Sequence, residues 1–260
     1  MVAALPAAVT DTTDHPMPFL VDSREARALY FSFDSVQSRM RLADPDALDL
    51  AYTRTMMGFL LFVPQPRRIS VIGLGGGSLV KFCHRHLPQA SLQVAEINPH
   101  VLALRDDFML PPDGARLAMQ QLDGARFVRL PQAACDVLLL DGFDRQGMPD
   151  ALCSQRFFDD AMGALDDGGM LVVNLHRGDP RLDLIMDRLA RSFEDAHALL
   201  AVDDADGGNR VVFAWRGRDF RRYRPGLLGG PGQALAADMA PIVAALQRSR
   251  QPVPRPQQRR

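Results

Sequence analysis

A glycine-rich loop and a later acidic residue are the most chemically informative features of this chain. The apolar pair Val71-Ile72 leads into Gly73-Leu74-Gly75-Gly76-Gly77-Ser78, and Glu96 closes the next apolar run. A buried strand that breaks into glycines and restarts as a helix lets its backbone lie against a ligand. A carboxylate roughly 20 residues later, at the tip of the next strand, can accept hydrogen bonds from a ribose diol. The loop alone is equally compatible with a plain turn, but together with Glu96 it favours a nucleoside pocket.

Further acids follow the third and fourth apolar runs. Asp123-Gly124 comes after the third run, and Asp141 and Asp144 come after the fourth. We expect them in one crevice, because ligands of a doubly wound sheet bind outside the carboxyl ends of its strands. Asp123 could instead cap a turn, and Asp141 could cap the next helix. A carboxylate behind four apolar residues is costly without a cation or a donor, so two acids here suit a site that binds an ammonium and removes its proton.

The elements that would position these residues alternate between strand and helix from Arg68 onward. Continuous apolar runs such as Val137-Leu138-Leu139-Leu140 are typical of strands covered on both faces. We predict five parallel strands at residues 69–72, 92–96, 117–121, 137–141 and 170–175. The intervening patterns predict helices at residues 79–87, 99–108, 154–165 and 182–193. With a hairpin at 198–202 and 210–215, this layout predicts an α/β, methyltransferase-like, doubly wound and mostly parallel sheet with a C-terminal antiparallel hairpin.

A small β segment precedes this sheet. Residues 19–21, 28–33 and 36–42 have strand-like patterns, and Asp34-Ser35 fits a turn between the last two. Asp44 followed by Pro45 predicts the start of a helix. We therefore divide the chain into a disordered start, a β segment with a helix, a nucleoside-binding α/β domain, and a Gly/Pro linker with a short helix and a basic tail, at residues 1–18, 19–64, 65–224 and 225–260.

Composition is compatible with a cytoplasmic enzyme. Hydrophobic residues make up 47% and charged residues 23% of the chain, and no apolar run approaches the roughly 18 residues of a membrane span. The first residues lack the basic start of a signal peptide, and three unpatterned cysteines fit reduced thiols. Residues 216–260 carry a net charge of +8, which leaves −9 on the remainder. An acidic body is compatible with a cationic substrate, although solubility would explain it equally well.

Other residues offer weaker signals for metals and for larger partners. Cys83, His84 and His86 face different directions on one helix, so we expect no metal site there. His176 follows the fifth strand and could enter the cleft or be structural. The arginine-rich tail lacks interleaved aromatics, which favours a solvated tail over a nucleic-acid or membrane partner.

From about Leu29 to Trp215 the chain resembles the polyamine aminopropyltransferase family, the spermidine and spermine synthases. In that family a glycine-rich loop, an acid after the second strand, an Asp-Gly pair and an Asp-x-x-Asp segment occur in this order. Their counterparts here are Gly73 to Ser78, Glu96, Asp123-Gly124 and Asp141-Gly142-Phe143-Asp144. In addition, Asp34-Ser35-Val36-Gln37 resembles the family's Asp-Gly-x-x-Gln strand pair, and Tyr52 lies where the family supplies a tyrosine to the amine pocket.

The resemblance implies transfer of an aminopropyl group from decarboxylated S-adenosylmethionine to a polyamine. It implies that Asp141 accepts the proton and that Gln37, Tyr52 and Asp144 line the amine site. The nucleoside would be held by Glu96, by Asp123 with Gly124, and by the glycine loop. We further expect a homodimer with a small-molecule polyamine as substrate and no metal.

Three positions depart from the family pattern. Gly76 stands where the family usually carries an aspartate for the donor's ammonium, Thr53 replaces a His or Gln, and Arg145 replaces a proline. Gly76 keeps open a first alternative, an S-adenosylmethionine-dependent methyltransferase. A second alternative is a non-catalytic nucleoside-binding protein. A pure scaffold has no need of Gln37, Tyr52 and Asp141 together, which argues against that alternative.

Overall fold

A seven-stranded sheet forms the centre of the protein. The structure is a computed structural model that describes residues 15–33, 35–144, 147–194, 196–223 and 235–249. The strands of this sheet are β4 (Arg68–Ile72), β5 (Ser91–Glu96), β6 (Leu117–Gln121), β7 (Cys135–Leu140), β8 (Leu165–His176), β9 (Leu199–Asp203) and β10 (Asn209–Trp215). Across the sheet they run in the order β6-β5-β4-β7-β8-β10-β9.

The sheet confirms the predicted fold class. β4 pairs in parallel with β5 and β7, and β7 pairs in parallel with β8. β10 then pairs antiparallel with both β8 and β9. The parallel strands are continuously apolar because hydrophobic clusters cover both of their faces, one holding Val71 and Val137 and the other Ile72 and Leu138. All carboxyl ends of the parallel strands therefore meet at one edge.

Helices connect the strands and follow the sheet. Their bounds are α1 (Ala51–Met56), α2 (Ser78–His86), α3 (Pro99–Ala103), α4 (Gly124–Phe127), α5 (Gln155–Ala164), α6 (Leu182–Ser192) and α7 (Ala236–Ser249). α3 ends before its predicted limit, and a turn with a positive φ at Met109 replaces its last part. No helix in the described part of the chain is long and apolar enough to cross a membrane.

The prediction of a helix beginning at Asp44 was wrong, because α1 begins only at Ala51. The Arg54 guanidinium accounts for the difference: its Nη1 donates to the carbonyl oxygens of Leu48 and Asp49, at 2.9 and 2.7 Å. Those carbonyl oxygens therefore accept from a side chain and not from the backbone N–H groups of a helix. A cap sequence could not reveal this competing donor.

A separate three-stranded antiparallel sheet lies before the large sheet. It is formed by β1 (Phe19–Asp22), β2 (Ala26–Ser32) and β3 (Ser35–Arg41), in that order. Leu29 pairs with Ser38 and Tyr30 pairs with Val36, so Gln37 is the extra residue of a β-bulge. Asp34 of the predicted turn lies outside the described residues, as do residues 1–14, 224–234 and 250–260 of the predicted tails.

Candidate active site

The glycine loop connects β4 to α2, the change from strand to helix that the sequence predicted. Gly73, Gly75 and Gly77 have φ values of +89°, +52° and +69°, which side-chain-bearing residues rarely adopt. A Cβ on Gly73 would lie 2.2 Å from the carbonyl oxygen of Asp141. The loop therefore passes directly against the end of β7.

Gly76 is restricted by its neighbours and not by its φ. A Cβ there would lie 2.6 Å from Ser38 Oγ and 2.7 Å from the Phe108 ring. Phe108 is fully buried, and its carbonyl oxygen accepts a hydrogen bond from Lys81 Nζ at 2.8 Å. The space in which the family's aspartate would begin is already occupied by these side chains.

Glu96 holds the glycine loop through its carboxylate. Oε2 accepts from the Leu74 N–H and Oε1 from the Asn98 N–H, both at 2.8 Å. Burial raises the pKa of the Glu96 carboxyl, and these backbone donors act in the opposite direction. A carboxylate has about four acceptor positions, so the backbone donors leave capacity for a ribose hydroxyl. The sequence identified the acid but not its bond to the loop.

Asp123 caps α4. Its Oδ1 accepts from the Ala125 N–H at 2.8 Å, the local turn role that the sequence left open beside adenine binding. A Cβ on Gly124 would lie 2.4 Å from Ile72 Cγ2, so only glycine lets α4 begin this close to the end of β4. The cap and the glycine together place α4 at the edge where the parallel strands end.

Asp141 lies at the centre of a polar cluster behind β7. Tyr52 Oη, from α1, donates to its Oδ2 at 3.1 Å, and Asn174 Nδ2, from β8, donates to its Oδ1 at 2.9 Å. Burial raises the pKa of the Asp141 carboxyl, and the two donors oppose that rise. Burial and the nearby Asp141 raise the pKa of Tyr52, which keeps its hydroxyl a neutral donor. The structure thus brings two of the predicted amine-site residues into contact.

The two other predicted amine-site residues, Asp144 and Gln37, lie in the loop after β7 and on β3. The Asp144 N–H donates to the Gly147 carbonyl oxygen at 2.9 Å in the loop after β7, where Arg145 and Gln146 lie outside the described residues. Gln37 is half-buried beside Ser38, which contacts the glycine loop. Within the described ranges, no group of three or more His, Cys, Asp or Glu side chains could hold a metal ion.

Asn174 is the site residue that the sequence analysis missed. It is the one polar side chain in the apolar residues 170–175, and it is 3% exposed. A single amide in an otherwise apolar buried strand could have marked it, because a buried amide needs a partner.

Comparisons with known proteins agree with this arrangement. The sequence model of the spermine/spermidine synthase domain matches residues 49–188, more than half of the chain. A polyamine aminopropyltransferase of Chromobacterium violaceum is 39% identical over 203 residues, 77% of each chain, and one of Neisseria meningitidis serogroup A is 38% identical over 192 residues, covering 73% and 72%. A probable spermidine synthase structure from Corynebacterium glutamicum has a similar fold, with a TM-score of 0.68 at 18% identity over 91% of this chain and 88% of that one. This chain belongs to the spermine/spermidine synthase family.

Proposed function

We propose that this protein transfers the aminopropyl group of decarboxylated S-adenosylmethionine to a small polyamine. The observation that carries the proposal is the direct contact between the glycine loop at Gly73 and the backbone of Asp141. A loop suited to a nucleoside and an acid suited to an amine thus lie side by side at one edge of the sheet. A donor held by the first would present its sulfonium side to an amine held by the second.

The donor would occupy the side of the site formed by β4, β5 and α4. The glycine loop offers backbone that a ligand can approach, Glu96 offers its remaining acceptor positions to the ribose, and Asp123 retains Oδ2 for a donor group such as an adenine amino group. These contacts involve no reacting atom, so they position the donor and do not activate it.

The acceptor amine would occupy the Asp141 side. It arrives as an ammonium, and Asp141 accepts one of its protons so that the nitrogen has a free electron pair. The nitrogen then bonds to the aminopropyl methylene carbon attached to the sulfonium, the bond from that carbon to sulfur breaks, and its electron pair remains on sulfur as methylthioadenosine leaves. A buried acid with a raised pKa is a stronger base than an exposed one, which suits Asp141 to this step. We assign Gln37, Tyr52 and Asp144 to the walls of this half of the site.

Gly76 supports one second candidate, methyl transfer from S-adenosylmethionine. No acid stands at this position to attract the donor's ammonium, and the space is filled by Ser38 and Phe108. Discrimination against a donor that carries a carboxylate should therefore be weaker than with an acid in place.

Product analysis tests both candidates in one experiment. The purified protein is incubated with either donor and a panel of diamines and polyamines, and methylthioadenosine, S-adenosylhomocysteine and the modified amines are measured by mass spectrometry. Methylthioadenosine together with an aminopropylated amine supports the proposal, and a methylated amine supports the second candidate. Nucleoside binding without either product would indicate a binding protein. Light scattering on the same sample tests the expected homodimer.

A further inference from the structure

Asn174 is a buried polar side chain for which the fold itself offers no reason. β8 is apolar on both sides of it, from Met170 to Val173 and again at Leu175. Its backbone pairs with Val211 of β10 within a regular antiparallel ladder, so the strand does not need the amide. Burying an amide without hydrogen bonds costs free energy that a valine or leucine would not.

The partner of Asn174 identifies what the amide does. Nδ2 donates to Asp141 Oδ1 at 2.9 Å, while Oδ1 is buried and has no hydrogen-bond partner among the described residues. A structural asparagine normally has both ends of its amide satisfied. Here only the end that faces the acid is bonded, so the contact to Asp141 is the interaction that accounts for this residue.

The second donor to Asp141 completes the geometry. Tyr52 binds Oδ2 and Asn174 binds Oδ1, so each carboxylate oxygen receives one hydrogen bond from a different direction. Two donors from separate elements, α1 and β8, hold the carboxylate plane against rotation about its last bond. Each oxygen keeps a further acceptor position for another donor.

We propose that Asn174 is a positioning residue of the amine site, which fixes the Asp141 carboxylate so that an unused acceptor position faces the nitrogen of the acceptor amine. This inference rests on the proposed function. Removing a group that orients a base leaves the base in place but lowers the fraction of productive encounters, so its effect should be smaller than loss of the base itself.

The test compares three variants with the wild-type protein. Asn174→Leu keeps similar bulk and removes the donor, whereas Asn174→Asp keeps nearly the same shape and places a second carboxylate against Asp141. Ser70→Ala is the matched control, because Ser70 is a buried polar residue of β4, two strands from β8, and its hydroxyl donates to the Ala133 carbonyl oxygen. The readouts are kcat, KM for the amine, methylthioadenosine affinity, melting temperature and the pH profile of kcat/KM.

We expect Asn174→Leu to lower kcat by about 10- to 100-fold with methylthioadenosine affinity retained. The acid limb of its pH profile should move to higher pH, because a donor that favours the ionised form of Asp141 is gone. Among the described residues, Tyr52 from α1 is the titratable side chain that bonds to Asp141, and it is unchanged in this variant. Asn174→Asp should move the limb further, because two adjacent carboxylates resist simultaneous ionisation. Ser70→Ala should leave kcat and the limb unchanged.

Two results would overturn the inference. One is a folded Asn174→Leu protein with wild-type kcat and an unmoved acid limb. The other is an Asn174→Asp protein whose acid limb stays at the wild-type position, since a carboxyl group in contact with Asp141 must change its ionisation. If Asn174→Leu does not fold, the position of the acid limb in the kcat/KM profile of Asn174→Asp tests the inference. Failure of the proposed function is distinguishable, because wild-type protein would then form no aminopropylated amine.

Discussion

The Tyr52 hydroxyl donates to Asp141 Oδ2 at 3.1 Å, across 89 positions of sequence. Tyr52 belongs to the region before the large sheet, and Asp141 follows β7 at the edge of that sheet. The acid that we assign as base is therefore held by two parts of the chain that fold as different elements. Its ionisation and its orientation depend on both.

Asp141→Asn should lower aminopropyl transfer by roughly 10²–10⁴-fold, because the variant keeps the shape of the side chain and removes the base. Methylthioadenosine binding should persist, since the nucleoside contacts lie on the other strands. Asp167→Asn is the control: Asp167 is a 99% exposed acid at the opposite end of β8. Steady-state kinetics with the amine measures the loss, and full activity in Asp141→Asn would refute the assigned mechanism.

Tyr52→Phe should shift the acid limb of kcat/KM to higher pH. The tyrosine hydrogen bond favours the ionised carboxylate, so its removal raises the pKa of Asp141 and delays formation of the base as pH rises. Hydrogen bonds to charged groups contribute about 1.5–3 kcal/mol, so kcat/KM should fall roughly 10- to 100-fold near the limb. Tyr30→Phe is the matched control, because Tyr30 lies on β2 and stacks on Phe19. An acid limb at the wild-type position would show that Tyr52 does not influence the ionisation of Asp141.

Glu96→Gln should weaken both nucleoside binding and stability. Methylthioadenosine affinity should fall by about 1.5–3 kcal/mol, as expected for a hydrogen bond to a charged group. The free energy of unfolding should also fall, by about 1–3 kcal/mol, because glutamine has an NH2 group in place of one carboxylate oxygen. That group cannot accept, so the backbone N–H of either Leu74 or Asn98 would lose its acceptor. Calorimetric titration and urea unfolding measure the two quantities, with Glu25→Gln on the exposed surface as the control. Unchanged affinity would remove Glu96 from the nucleoside pocket.

Gly76→Asp should lower the stability of the protein as well as change its choice of donor. The new Cβ would overlap Ser38 Oγ and the Phe108 ring, and overpacking a buried site costs typically about 1–3 kcal/mol. Gly76→Ala brings the same overlap without the charge, so the difference between the variants isolates the acid. The ratio of kcat/KM for the two donors should favour decarboxylated S-adenosylmethionine in Gly76→Asp relative to Gly76→Ala. Equal ratios would show that an acid here does not reach the donor's tail.

Lys81, the sole lysine of the chain, should titrate far below an ordinary lysine. Burial lowers its pKa from 10.5 to about 8, so between these values the unfolded chain binds more protons than the folded one. The free energy of unfolding should therefore gain a contribution that rises with pH across that window, and Lys81→Met should abolish it. NMR of protein with ¹³C-labelled lysine follows the single side chain directly. A midpoint near 10.5 would contradict the buried environment.

Local patterns were sufficient for most of the sheet and for the glycine loop. A strand covered on both faces must be apolar throughout, so β4, β5 and β7 are visible as uninterrupted runs. Three glycines with positive φ are equally local, because only the backbone of each residue is involved. The acids after these strands could be assigned to one edge because the direction of parallel strands fixes where they end.

Contacts between distant residues decided the rest. The start of α1 depended on the hydrogen bonds of Arg54. The space beside Gly76 depended on the position of the Phe108 ring. The structural role of Glu96 depended on its bond with the Leu74 N–H. Asn174 is visible in the sequence as a single amide in an apolar strand, but its role followed only from the contact with Asp141. The sequence determined which elements form, because burial and backbone freedom are properties of each segment. Only the tertiary structure decided which polar groups meet, because their hydrogen bonds and pKa values depend on atoms brought together from separate elements.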